Sequence, residues 1–312
     1  MVPLRLTIDD TFYRPEYRNG YLVSSEMKKV WAVELDLLNE FARVCSIYSL
    51  KWFAHAGTML GAVRHHGFIP WDDDIDVVMP REDYRRLCSI APTTFEHPYF
   101  FQTEDTDRFF CRGFARLRNS DTTAIQYTER AFLFPFNQGI FIDIFPMDSI
   151  PDDSDERKQY YKQAEHLHAK SRAMRYYVHF YIPNKNNGFY KMVNHSIKHL
   201  YYRYITKPDY TLILNEYNAL LASYNGQKTE CVGESIIPPL GRWIWKRKWV
   251  EKVCMLPFEM LSIPVPIGYD ECLSSAFGAD WRIPKHVPTL HGGVLFDVDN
   301  PYSYYIESKK NQ

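Results

Sequence analysis

Apolar residues recur at helical spacing from residue 25 onward. Val30, Leu37, Leu38, Phe41 and Val44 share one face, and Ser24 or Ser25 stands where an N-cap is expected. Residues 1–24 show no such period and read as an irregular N-terminal arm. Lys51-Trp52-Phe53-Ala54-His55 reads as a short strand that runs into Ala56-Gly57-Thr58. A second helix is expected there, carrying Leu60, Ala62 and Val63 and ending at Gly67. Pro70-Trp71 then turns the chain into a strand at 74–79, and Pro80-Arg81-Glu82-Asp83 has the features of a helix start. Strands are expected at 99–103, 111–118 and 122–127. The run Gly139-Ile140-Phe141-Ile142-Asp143-Ile144-Phe145-Pro146 reads as a buried strand ended by its proline.

The pattern changes near Pro151. Residues 151–225 are rich in Lys, Tyr, His and Gln at helical spacing, which predicts two to four helices broken near Pro183–Gly188 and Pro208. Residues 231–290 mix short strands, turns and a helix around Tyr269–Phe277. Their prolines (238, 239, 257, 264, 266, 284, 288) indicate fixed loops. No internal repeat is present. The expected fold is α/β (α+β): an arm at 1–24, a mixed-sheet core flanked by helices at 25–150, and a mostly helical, loop-rich part at 151–312.

Composition narrows the function classes. The chain has 312 residues, 46% of them hydrophobic, enough for a sizeable core. Its net charge of −1 offers no global field for nucleic acid, so no nucleic-acid partner is expected. No stretch is apolar enough to span a bilayer, and the first residues lack the pattern of a secretory signal. Six scattered cysteines without a Cys-x-x-Cys pair suit reduced thiols, so a cytoplasmic location is expected.

The candidate chemistry is concentrated in Trp71-Asp72-Asp73-Asp74-Ile75-Asp76-Val77-Val78. Alternate residues of a strand share a face, so Asp74 and Asp76 point the same way. Like charges so close repel, and a proton or a cation must relieve them. Hard divalent cations take oxygen ligands, which points to a metal site that handles a phosphate-bearing substrate. Asp72 and Asp73 also read as a solvated acidic turn. Asp143, alone among apolar neighbours, is expected to be metal-bound beside Asp74 and Asp76. A salt bridge to an arginine, or a water-facing strand end, is the plainer reading. Gly57-Thr58 opens a helix after a strand, where backbone N–H groups suit a phosphate. Arg64, Arg116 and Arg118 are candidate phosphate clamps, Arg116 and Arg118 sharing a strand face. The plain alternative for each is a surface ion pair. His55, His65 and His66 receive no role. Gly241–Trp249, which interleaves basic and aromatic residues, reads first as an edge strand with its tryptophans inward and second as a glycan or membrane contact.

The block from Gly57-Thr58-Met59-Leu60-Gly61-Ala62-Val63-Arg64-His65-His66-Gly67-Phe68-Ile69-Pro70-Trp71 through Asp76-Val77 closely resembles the signature of the LicD family, which includes bacterial phosphocholine transferases and is related to fukutin. The likeness continues in Gly139–Asp148 and in Leu256-Pro257-Phe258-Glu259, Ile263-Pro264-Val265-Pro266, Tyr269-Asp270 and Phe277-Gly278-Ala279-Asp280-Trp281. The resemblance implies a nucleotidyltransferase-like fold in which Gly57-Thr58 grips phosphate and Asp74, Asp76 and Asp143 bind Mg²⁺ (or Mn²⁺). It implies transfer of phosphocholine or a similar phospho-alcohol from a CDP-linked donor, CDP-choline foremost, to a hydroxyl of a surface glycan, free or lipid-linked. Asp143 would take the acceptor's proton, and the work would be done at the inner face of the membrane, by peripheral contact. Two alternatives stay open at this point: a true nucleotidyltransferase that places NMP on an acceptor, and a non-catalytic glycan-binding subunit.

Overall fold

A computed structural model describes residues 1–107, 110, 112–126, 136–179, 189–201, 204, 210–236, 241–286 and 293–305. The N-terminal arm is more regular than its sequence suggests. After a 3-10 turn at Asp10–Tyr13, β1 (Glu16–Arg18) and β2 (Tyr21–Val23) pair as an antiparallel hairpin around Asn19-Gly20, both at positive φ. Such a two-residue Asn-Gly turn is a strong hairpin signal, and reading only for apolar period overlooks it. Helix α1 (Ser25–Ile47) is capped by Ser24, whose hydroxyl accepts from the Met27 N–H at 3.1 Å.

Next come β3 (Phe53–Ala54), α2 (Ala56–His65), β4 (Asp76–Pro80), α3 (Arg81–Thr94), β5 (Tyr99–Gln102), β6 (Ala115–Asn119), β7 (Thr123–Gln126) and β8 (Ile140–Ile150). Three helices follow: α4 (Ser154–His179), α5 (Phe189–Leu200) and α6 (Tyr210–Leu221). The last part holds β9 (Cys231–Glu234), β10 (Trp243–Lys246), the single turn α7 (Arg247–Val250), β11 (Val253–Phe258), β12 (Leu261–Pro266), α8 (Tyr269–Phe277) and β13 (Val294–Asp297). The expected helix breaks at 183–188 and Pro208, and the prolines at 238, 239 and 288, lie outside the described residues.

The main sheet is organised by β8, which is buried along almost its whole length. On one side β8 runs parallel to β4, which pairs in turn with β3. On the other side its first half is antiparallel to β6, which carries β5, and its last residues are antiparallel to β9, which carries β10. The fold is thus a mixed sheet with helices packed on it, and the sheet takes strands from beyond residue 230 as well as from before 150. β7 pairs with β13 in a separate small sheet.

Pro146 does not end its strand as its sequence predicts. The Asp143 N–H donates to Ile75 O at 2.9 Å, so odd-numbered amides face β4 and even-numbered ones face the opposite side. There β6 reaches only to Ile144, and β9 begins only at Asp148. Pro146 sits in the gap between them, where no neighbour requires its missing N–H. The Trp-rich segment forms an edge strand: Trp245 is buried, Trp243 half-buried and Lys246 exposed.

Two hairpins fix the loop that leads from α2 to the acidic segment. The Glu259 N–H, in the turn between β11 and β12, donates to His66 O at 2.8 Å. Its carboxylate accepts from the Phe68 N–H at 3.0 Å and from both terminal nitrogens of Arg18 in β1. α2 approaches this loop so closely that a Cβ on Gly61 would lie 2.4 Å from Gly67 O. Among the described residues no helix is long and apolar enough to cross a membrane. Helix propensity alone makes Gly61→Ala stabilising by about 1 kcal/mol. The clash with backbone reverses the sign, and urea unfolding should show a loss of about 1–3 kcal/mol.

Candidate active site

The acidic segment is held chiefly by its backbone. The Trp31 indole N–H, on α1, donates to Asp72 O at 3.0 Å, and the Trp31 ring stacks on Phe68 with centroids 4.4 Å apart. The Asp72 N–H donates to Ile69 O. The Asp76 N–H donates to Thr58 Oγ1 at 2.8 Å, and the His55 N–H donates to Asp76 O at 3.0 Å. The strand–helix turn at 55–58 therefore grips both polar groups of the Asp76 backbone. Within that turn Ala56 holds φ at +43°, which is costly for a residue with a Cβ. At Gly57 a Cβ would lie 2.5 Å from Asp72 Oδ2, so glycine leaves the space that this carboxylate uses.

Asp72, Asp73 and Asp74 are half-buried, and one carboxylate oxygen from each falls within 4.8 Å of the others. Asp76 lies opposite Asp143 in the parallel register of β4 and β8. Burial first, and then the charges of Asp74, Asp143, Asp72 and Glu234, push the Asp76 carboxyl well above its ordinary range. Glu34 on α1 shows the same response: burial, followed by Asp74, Asp73, Asp72 and Asp76, raises it strongly. An all-oxygen donor set with crowded, partly desolvated charge fits a hard divalent cation such as Mg²⁺ or Mn²⁺.

Asp143 has a cationic partner within the protein. Arg116 sits opposite it in the antiparallel register of β6 and β8, and its Nε donates to Asp143 Oδ1 at 2.5 Å and its Nη2 to Oδ2 at 3.1 Å. The guanidinium carbon lies 3.6 Å from the centroid of the Phe141 ring. Arg118, on the same face, donates to Gln102 Oε1 and Gly139 O and is 1% exposed. Arg64 donates to Trp281 O and to His65 Nε2. Of the three arginines expected to clamp phosphate, Arg116 is thus joined to an acid of the cluster, while Arg118 and Arg64 hold backbone carbonyls and neutral side chains. His55 is buried among Phe145, Trp243 and Trp245, and burial with nearby Arg242 lowers its pKa to about 3, so it stays neutral.

Residues 49–195 match the family model described as LicD/FKTN/FKRP, nucleotidyltransferase domain. Residues 49–195 are a LicD-family domain. Over 120 residues the chain is 33% identical to the lipopolysaccharide cholinephosphotransferase LicD of Haemophilus influenzae, which covers 38% of this chain and 43% of that protein. Shorter matches of 44 residues reach 48% identity with an uncharacterized protein of Rickettsia prowazekii and 46% with one of Rickettsia typhi. They cover 14% of this chain in each case, and 16% and 14% of those proteins. The chain thus spans less than half the length of each of these relatives.

The LicD-family domain contains Gly57, Thr58, Arg64, Asp72–Asp76, Arg116, Arg118 and Asp143. It does not contain Glu34 or Glu234, two buried acids that the structure brings to the cluster and that sequence reasoning overlooked. Glu34 had a signal: it falls on the apolar stripe of α1, in step with Val30, Leu37, Leu38 and Phe41. Glu234, at the end of a short strand, had none.

Two measurements follow from this geometry. Arg116→Ala leaves the Asp143 carboxylate buried without its bidentate partner, and equilibrium unfolding should report a loss of about 3–5 kcal/mol. In chelator, the pH dependence has a definite sign. Folded Asp76 and Glu34 keep their protons at pH values where the unfolded chain has released them. Stability therefore falls as pH rises above the unfolded pKa of about 4 toward the raised folded values. Asp76→Asn should flatten the decline in Tm between about pH 5 and pH 8; an unchanged slope would mean that Asp76 is not a source of it.

Proposed function

We propose that this chain is a divalent-cation-dependent phosphotransferase that moves phosphocholine, or a similar phospho-alcohol, from a CDP-linked donor to a hydroxyl of a surface glycan, working at the cytoplasmic face of the membrane by peripheral contact. The observation that carries the reading is the grouping of the Asp72, Asp73 and Asp74 carboxylates, with Asp72 against Gly57, the Asp76 amide bonded to Thr58 and Asp143 opposite Asp76 on the adjacent strand. Likeness to a cholinephosphotransferase that acts on lipopolysaccharide supports the choice of group and acceptor. When bound by Asp74 and Asp76, with Asp143 beside them, Mg²⁺ (or Mn²⁺) supplies charge neutralisation for a diphosphate and its leaving group.

The protein's own groups divide the remaining work. The amides of Gly57 and Thr58 at the start of α2 face a phosphate with the positive end of the helix, and the Thr58 hydroxyl, which accepts from the Asp76 amide, still has its own O–H to donate. The acceptor hydroxyl oxygen forms a bond to the phosphorus that carries the alcohol. The bond from that phosphorus to the bridging oxygen breaks, and CMP leaves with the electron pair. The acceptor's proton passes to water, since a carboxylate that holds the cation is a poor base. Asp143, with both oxygens bonded to Arg116, holds the neighbouring strand position and is less suited to taking that proton than its sequence suggests.

The test is CMP release from CDP-choline with a lipopolysaccharide or teichoic-acid acceptor, with and without EDTA. Activity should vanish in EDTA, return with Mg²⁺ or Mn²⁺, and fall at least about 100-fold in Asp74→Asn and Asp76→Asn. Metal-independent turnover, or full activity in those variants, contradicts the reading. Nucleotide retained on the acceptor would make the reaction nucleotidyl transfer.

A further inference from the structure

We infer that the exposed apolar face of α5 docks on an anionic lipid surface, with Val193, Ile197 and Leu200 entering the headgroup layer and the basic residues around them meeting lipid phosphate. The assignment rests on the peripheral membrane contact in the reading given above and gives that contact a location. The chemistry at the aspartates is independent of it.

Burial on α5 is inverted. Val193, Ile197 and Leu200 stand at i, i+4 and i+7, so they share one face of the helix. They are 39%, 60% and 54% exposed. Ser196 and His199, between them in the chain, are half-buried. A helix that packs on a core in water turns its apolar stripe inward, and here the stripe faces out while two polar residues are partly covered. Tyr201 and Tyr204 follow in π-helical winding, four residues after Ile197 and Leu200, and are 48% and 62% exposed. They prolong the stripe with rings whose hydroxyl ends suit the wet side of a lipid interface. Single exposed apolar side chains need no explanation, but five at helical spacing form a patch that does.

The helix is held to the rest of the fold. α5 packs on α4, and α4 packs on α6. The Tyr160 hydroxyl of α4 donates to Leu221 O at 3.2 Å, and the Tyr217 hydroxyl of α6 donates to Ser235 O at 3.0 Å, one residue past the end of β9. Through these two helices the patch is tied to the main sheet.

Charge decides the occupant. The whole chain balances 37 Lys and Arg against 38 Asp and Glu. Between His166 and Pro208 it has eight Lys or Arg, Lys191, Lys198, Arg203 and Lys207 among them, and no Asp or Glu. Lys198, next to Ile197, is exposed. A second copy of this chain would bring the same positive segment against itself, and like charges oppose that contact. An anionic bilayer satisfies both features at once: its acyl boundary takes the apolar stripe and its headgroup phosphates take the lysines and arginines.

The experiment is flotation of the purified full chain with vesicles of phosphatidylcholine alone and of phosphatidylcholine mixed with phosphatidylglycerol. Wild type should float with the mixed vesicles, stay behind with phosphatidylcholine alone, and be released by raised salt. The double variant Ile197→Gln, Leu200→Gln should weaken partitioning about 10-fold or more, and Lys198→Glu several-fold. Both variants change exposed positions, so their melting temperatures should stay within about 2 °C of wild type. Wild-type partitioning in both variants overturns the inference, and so does failure of wild type to bind the mixed vesicles. If the double variant fails to fold, Lys198→Glu decides alone. A wild-type dimer that the double variant dissociates in sedimentation equilibrium, without vesicle binding, gives the face to a second copy and also overturns it. CMP release from CDP-choline onto a detergent-dispersed acceptor separates this inference from the broader reading. Activity without vesicle binding sinks the inference and spares the phosphotransferase; vesicle binding that depends on α5, without activity, does the reverse.

Discussion

Everything at this site depends on the parallel pairing of β4 with β8. That ladder sets Asp76 beside Asp143 on neighbouring strands, each in otherwise apolar surroundings. A buried and a half-buried carboxylate at adjacent positions are unfavourable, and the sheet is arranged around relieving them. β6 lies on the far side of β8 in the register that puts Arg116 opposite Asp143. The planar guanidinium meets both oxygens of that carboxylate and lays its face on Phe141, a match that a lysine's point charge would not make. One acid of the pair is thereby compensated inside the protein. The other, Asp76, has its proton affinity raised by its surroundings, first by burial and then by Asp74, Asp143, Asp72 and Glu234.

The turn that carries the remaining acids is positioned from outside itself. Trp31 reaches Asp72 from α1, Thr58 and His55 grip Asp76 from the start of α2, and β8 takes Ile75 O. Glu259 and Arg18 tie down the loop before it. The bonds of Trp31, Thr58, His55 and Asp143 go to the backbone of the segment, so these holds do not draw on its carboxylates. A cluster built this way can hold repelling side chains close together in the absence of a ligand, which is the preorganisation that electrostatic catalysis requires. The positive φ of Ala56 lies in the same turn, a local cost that the bonds around it keep in place.

Much of this was legible in the sequence because it is periodic or chemically concentrated. The stripe on α1, the Asp-x-Asp strand and the apolar strand around Asp143 each announce themselves. What the sequence hid was partnership. Nothing in Ala115–Asn119 says that Arg116 will face Asp143 across a ladder, because register between distant strands is a tertiary property. Pro146 reads as a terminator by local rules, and continues the strand only because neither neighbour on that side extends to it. The β1–β2 hairpin was lost because its signal is a turn dipeptide. Glu34 was hidden by its own helix: a single acid in an apolar stripe is easily read as an imperfection of the stripe.

The span of the LicD-family match bears on how far a relative's chemistry can be carried across. Residues 49–195 include the phosphate turn and the aspartates, yet α1 and β9 lie outside that segment. Those two elements contribute Glu34 and Glu234, buried acids that add like charge around Asp76 and the acidic turn. The family match therefore covers the Gly57-Thr58 turn and the aspartates without these two acids. The Trp243–Lys246 edge strand pairs directly with β9 and packs Trp243 and Trp245 against His55, one residue before the Ala56-Gly57-Thr58 turn. Because the His55 N–H holds Asp76 O, that packing couples the edge of the sheet to the aspartates.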